Sequence, residues 1–144
     1  MKISIIATMA ALVVATPVFA AGDAAKGEAE FKKCKACHMI VAADGTEIVK
    51  GGKTGPNQWN LIGSKVAAEE GFKYGDGLMQ VAAANPDMVW TEELVVEYMT
   101  DPQKFIDAHG GTGGKSKMAF KLAKGQEDVA AYLRTVSPDA PPAQ

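Results

Sequence analysis

The sequence predicts an all-α protein: short helices, joined by glycine-rich loops, wrapped around something large and apolar that the chain does not supply. Three observations predict it. Apolar residues recur at helical spacing in several short segments, and no stretch alternates convincingly as a strand does. Long loops rich in glycine separate those segments. Too few apolar side chains lie on the helical segments to close a core among themselves. The 144 residues, 47% hydrophobic and 22% charged, suit one compact domain. Composition leaves disorder only for the Pro-rich end, residues 137–144.

Residues 1–20 read as a signal peptide. Met1-Lys2 is a short positive start, Ile3 to Val14 is uncharged, and Pro17 breaks the run. Val18-Phe19-Ala20 puts small residues at the positions a signal peptidase reads, so cleavage is expected after Ala20. The apolar run is too short to span a bilayer comfortably. The expected mature domain is 21–144, exported to the periplasm, with no stable membrane insertion. Cleavage removes Lys2 and no acid, so the net charge of −2 falls by one unit.

Asp23 to Ala36 reads as a helix with Ala24, Gly27 and Phe31 on one face. Met39 to Gln58 reads as loop. Gly75 to Ala84 reads as a short helix ended by Asn85-Pro86. Thr91 caps the next, through Thr100, and Glu92-Glu93 sit at the positive end of its dipole. Pro102 either stops that helix or starts a short turn of helix through Ala108. His109 to Lys117 holds four glycines and is a loop. Gln126 to Val136 is the clearest helix, with Val129, Tyr132, Leu133 and Val136 in one stripe.

Cys34-Lys35-Ala36-Cys37-His38 supplies the missing centre. C-x-x-C-H is the attachment signature of haem c. Two thiols one helical turn apart add to the two porphyrin vinyl groups, and His38 lies beneath the ring with an imidazole nitrogen for iron. A redox C-x-x-C would need a βαβ setting, which is absent. A zinc site needs two further ligands, and His109 is the only other histidine. A plain disulfide is poorly motivated. The sixth iron ligand comes from Met39, Met79, Met88, Met99, Met118 or His109. Met39 adjoins His38 and cannot cross the ring. Met99 falls on a helical face and reads as core. Met118 follows a glycine-rich loop, which frees its side chain to meet a metal. Spacing alone does not separate Met118 from His109; methionine ligation raises the reduction potential relative to two histidines.

Gly22 to Gly27, Phe31, the C-x-x-C-H run, Thr54-Gly55-Pro56-Asn57, Trp90, Tyr98, Pro102 and Lys117-Met118-Ala119-Phe120 together resemble a class I c-type cytochrome. The segment Phe120 to Leu133 resembles the bacterial cytochromes c2 in particular. The resemblance covers essentially the whole mature chain and implies the small cytochrome c fold around one covalent haem c, held through Cys34 and Cys37. It implies His38 and Met118 as the axial pair. It implies that the Pro56 carbonyl accepts the other N–H of His38, that Tyr74 and Trp90 donate to a haem propionate, and that Tyr98 lies near the methionine sulfur. It implies that Gly27 and Phe31 cross a C-terminal helix at Val129 and Tyr132. The chain also departs from the pattern. Ser64, with Lys65 beside it, stands where many relatives carry Arg, and Gln58 and Trp59 replace commoner residues.

With both axial positions filled, no site is open for substrate, so an electron carrier is expected rather than an enzyme. The alternative class is a ligand-binding or peroxidatic haem protein with a labile sixth ligand. Lys32, Lys35, Lys53, Lys115, Lys117 and Lys121 lie in segments that approach the haem edge in this fold, which suits acidic partner surfaces. By resemblance the partners are a quinol-oxidising bc1-type complex and a photosynthetic reaction centre or cytochrome oxidase. The negative net charge and the lack of an aromatic-basic platform argue against nucleic acid. A monomer is expected.

Overall fold

The computed structural model describes residues 22–142. The signal-peptide expectation lies outside them. Five helices follow one another: α1 (Ala24–Phe31), α2 (Asp76–Ala84), α3 (Glu92–Thr100), α4 (Pro102–Ala108) and α5 (Gln126–Thr135). Among the described residues no helix is long and apolar enough to cross a membrane.

The caps explain the boundaries. Asp23 accepts from the N–H groups of Ala25 and Lys26 and starts α1. Thr91 accepts from Leu94 and starts α3. Asp101 ends α3 and caps α4 by accepting from Lys104, and Pro102 occupies the first turn of α4. The first helix is shorter than the sequence predicts. Beyond Phe31 the bonds tighten to three residues: Lys33 N–H donates to Glu30 O at 3.0 Å and Cys34 N–H to Phe31 O at 2.8 Å. The chain keeps coiling but no longer as an α-helix.

The segment expected to be all loop, Met39 to Gln58, contains a small antiparallel ribbon of β1 (Ile40–Val41) and β2 (Glu47–Val49). Its cause is local. Gly45 adopts φ 87° in an Asp44-Gly45 turn, and Asp44 accepts from the Thr46 N–H at 2.9 Å. The flanking Ile40-Val41 and Ile48-Val49 are β-branched, so turn chemistry and propensity agree.

Helices α1 and α5 cross where the resemblance implies. Phe31 and Tyr132 set their ring centroids 5.7 Å apart, and Asp23 N–H donates to Asp128 Oδ1 at 2.7 Å. Gly27 sits at the crossing: a Cβ there would stand 1.8 Å from the Asp128 carbonyl oxygen and 2.8 Å from Tyr132 Cβ. Only a residue without a side chain fits between these backbones. Gly27→Val is therefore expected to cost about 3 kcal/mol or more, an overpacking penalty that backbone cannot relieve cheaply. Denaturant unfolding of the intact holoprotein measures it. A loss under about 1 kcal/mol would mean the helices can separate freely.

The Pro-rich end differs from expectation too. Ser137 is buried, accepts from Ile62 N–H at 3.0 Å and donates to Leu133 O at 2.8 Å. Asp139 pairs twice with Asn60, at 2.7 and 3.1 Å. Composition does not reveal this, because the order comes from polar groups meeting a distant loop. Gln58 apart, the rest of the buried core is apolar: Ile40, Val81, Phe105, Ile106 and Val129 are fully enclosed.

Candidate cofactor site

The fold closes around a cavity of about 1210 Å³, open along one edge. Protein interiors normally leave few voids larger than a water molecule. Elsewhere no buried side-chain polar atom is left unpartnered among the described residues.

The attachment turn forms part of the wall. Cys37 N–H and His38 N–H both donate to Cys34 O, at 3.0 and 2.9 Å, so one tight turn carries both sulfurs and the imidazole. Cys34, Cys37 and His38 all line the cavity. The two sulfurs are not joined. Burial pushes the Cys34 thiol up to about 11.

His38 is held by three neighbours. Its Nδ1 lies 2.9 Å from Pro56 O, and the Gln58 amide nitrogen lies 3.1 Å from both atoms. Gly55 lies against the ring: a Cβ there would come within 2.3 Å of Cε1. With Nδ1 so occupied, Nε2 is the nitrogen without a protein partner among the described residues. Burial holds the His38 pKa below its ordinary value, although the Pro56 carbonyl opposes this. A neutral imidazole is the form that binds metals.

Met118 reaches the cavity from a separate segment. The preceding loop is held rather than loose. Gln103, on α4, accepts from Ser116 N–H at 3.0 Å and donates to Gly114 O at 3.1 Å. Ser116 in turn donates to the Met118 carbonyl at 2.9 Å. Tyr98, on α3, lines the cavity. Nothing in the sequence marks Gln103 or Ser116. A glutamine early in a short helix has no distinctive pattern, and its target lies across a loop.

The rival ligand is placed elsewhere. His109 packs on Phe105 at 4.3 Å, directs Nε2 to the Glu97 carboxylate at 3.1 Å, and does not line the cavity. Met79 is exposed, and Met88 lies away from the cavity. Met39 and Met99 do line it, the first beside His38 and the second buried on α3.

Trp90 is fixed from both sides: its N–H donates to Ser64 O at 2.8 Å, and Gly63 N–H donates to its carbonyl at 2.8 Å. Its ring stacks on Phe105 at 5.5 Å and meets Tyr98 edge-on at 5.4 Å. Tyr74 lines the cavity and accepts from Glu69 N–H at 3.2 Å, which leaves its own proton free to donate. Burial raises the pKa of Tyr74 and of Tyr98. The wall thus favours the neutral form of Cys34, His38, Tyr74 and Tyr98 alike, as lining for a broad apolar plate requires. Ser64 turns its hydroxyl to Leu61 O at 2.7 Å, and Lys65 reaches Pro86 O at 3.0 Å.

These residues fit a covalently held porphyrin. The cavity is large and apolar, two sulfurs and a tethered imidazole share its wall, and a methionine is carried to it. No protein-family model matches the chain. Named relatives do. The chain is 60% identical over 142 residues to cytochrome c-550 of Paracoccus versutus, covering 97% of this chain and 92% of that one. It is 54% identical over 138 residues to cytochrome c2 of Rhodobacter capsulatus, covering 94% and 98%. The crystal structure of cytochrome c2 from Paracoccus denitrificans superposes with a TM-score of 0.81 at 58% identity, covering 83% of this chain and 99% of that one. A cavity built for a tethered porphyrin, on a chain this similar to c2 and c-550 over nearly its whole length, places the protein among the class I c-type cytochromes, with one haem c as its prosthetic group.

Proposed function

We propose that this cytochrome is a diffusible periplasmic shuttle, taking electrons from a quinol-oxidising bc1-type complex and passing them to a photosynthetic reaction centre or terminal oxidase. That it carries electrons follows from its family. The observation that supports a fully ligated shuttle is the lining of the cavity: Cys34, Cys37, His38 and Met118 all line it, and His109 does not. The pattern of residues 1–20 supports the location.

Cys34 and Cys37 would hold the group by thioether bonds, and His38 Nε2 and Met118 would bind its iron. When bound, the haem supplies one-electron exchange between Fe(II) and Fe(III). The chain does the rest. Pro56, Gln58 and Gly55 prevent the imidazole from turning. Gln103 and Ser116 hold the loop that carries Met118, so little has to move when charge changes. Trp90, Tyr74 and the apolar wall exclude water. Tyr74 and Trp90 are the donors proposed for a propionate.

Lys53 and Lys117 line the cavity, and Lys32, Lys35, Lys53 and Lys115 are exposed. Lys121 is engaged by Asp101 at 2.7 Å and contributes less to the field. A basic rim steers acidic partners and lets them leave, as a shuttle requires. Electron transfer to a purified bc1-type or oxidase complex should therefore slow by about threefold or more between low and physiological salt. A rate indifferent to ionic strength would rule out the steering.

A further inference from the structure

Gln58 is one of two buried polar residues among the described residues, 8% exposed. An amide taken out of water is costly unless it is hydrogen-bonded. Its nitrogen meets a single acceptor, the Pro56 carbonyl oxygen that His38 also uses. We infer that Gln58 is a positioning residue that raises the reduction potential, by competing with His38 for the Pro56 carbonyl. The inference rests on the proposal that His38 Nε2 binds the iron.

With Nε2 on the metal, Nδ1 carries the proton and donates to Pro56 O across 2.9 Å. The Gln58 nitrogen, 3.1 Å from Nδ1, is also a donor and cannot receive that proton. Turning the amide over would let Oε1 share the Nδ1 proton, but it would also set that oxygen 3.1 Å from the Pro56 oxygen, two acceptors facing, and would strip the amide of its one acceptor. The orientation with nitrogen inward therefore satisfies the group. The carbonyl has two lone pairs and serves both donors, giving less electron density to each.

Two effects then act in one direction. A strong acceptor at Nδ1–H makes the imidazole a better electron donor, which favours the oxidised metal. Gln58 weakens that acceptor. It also sets the positive end of an amide dipole beside the ring in a low-dielectric interior, where such dipoles count for more. Both effects disfavour the extra positive charge of the oxidised state.

The test is redox titration of the holoprotein beside Gln58→Leu and Gln58→Met, neither of which can donate. The oxidised-to-reduced ratio at a fixed ambient potential should rise roughly three- to tenfold in both, tenfold being about 59 mV for a one-electron couple. The His38 Nδ1 proton should move downfield in the reduced variants as its bond to Pro56 strengthens. A ratio that is unchanged or lowered, or an unmoved ring proton, overturns the inference. So does loss of the sulfur-to-iron absorption band in both variants, which would make Gln58 merely structural. The unaltered protein gives a check that needs no variant: the Gln58 side-chain NH₂ should show a short proton–proton contact to Nδ1–H, and its absence means that the oxygen points inward. Imidazole resonances strongly shifted by the porphyrin ring current report His38 ligation separately, so failure of that reading is distinguishable.

Discussion

Replacing Cys34 and Cys37 together by Ala should yield a colourless chain that does not fold. The cavity sets the scale. The walls bound about 1210 Å³ of partly open space lined mainly by apolar side chains. Without the porphyrin that lining meets water or a void. Either loss draws on a stability that is only roughly 5–15 kcal/mol in an ordinary domain. The apolar residues that would have to collapse inward are tied elsewhere: Trp90 is bonded on both sides to residues 63 and 64, and Leu78 and Val95 belong to helices packed on other elements. Far-ultraviolet circular dichroism and a thermal melt measure the outcome. Helical signal with a cooperative transition in the colourless double variant would show that the walls can close without the porphyrin.

Met118→Ala should abolish the weak far-red sulfur-to-iron band while leaving the haem attached. The reduction potential should fall by about 0.1 V or more, a modest share of the roughly 0.8 V that axial ligands span. Carbon monoxide, which a firmly six-coordinate iron binds poorly, should then bind the reduced variant at neutral pH. His109→Ala should leave band and potential unchanged, because His109 faces Glu97 and Phe105. Survival of the band in Met118→Ala would reassign the ligand to Met99, which also lines the cavity. Ready carbon monoxide binding by the unaltered protein would favour a ligand-binding or peroxidatic role.

What the sequence made legible were features with short-range causes. The cap at Thr91, the helix start at Pro102 and the stripe Val129, Tyr132, Leu133 are each written within a few residues, and the structure has all of them. The attachment turn is local as well. The small β-ribbon was legible in principle, since Asp44-Gly45 stands between β-branched pairs, but its strands are too short to show alternation. The placements that matter most to the site were not local. Met118 and His109 stand at opposite ends of the same glycine-rich stretch, and nothing within it shows which end the chain brings to the cavity. Gln58 reads as one more polar residue in a loop until the fold sets it beside His38. Ser137 and Asp139 look like a polar tail until Ile62 and Asn60 meet them.

The crossing of α1 and α5 also has a kinetic side. The bond from Asp23 to Asp128 spans 105 positions of sequence. Closing so long a loop carries an entropy cost that the packing of α1 on α5 has to outweigh. While the chain emerges from its N-terminus, α1 lacks the helix it packs on until residues near 128 exist. The attachment turn lies directly after α1, so the support on that side is completed only when nearly the whole chain has been made.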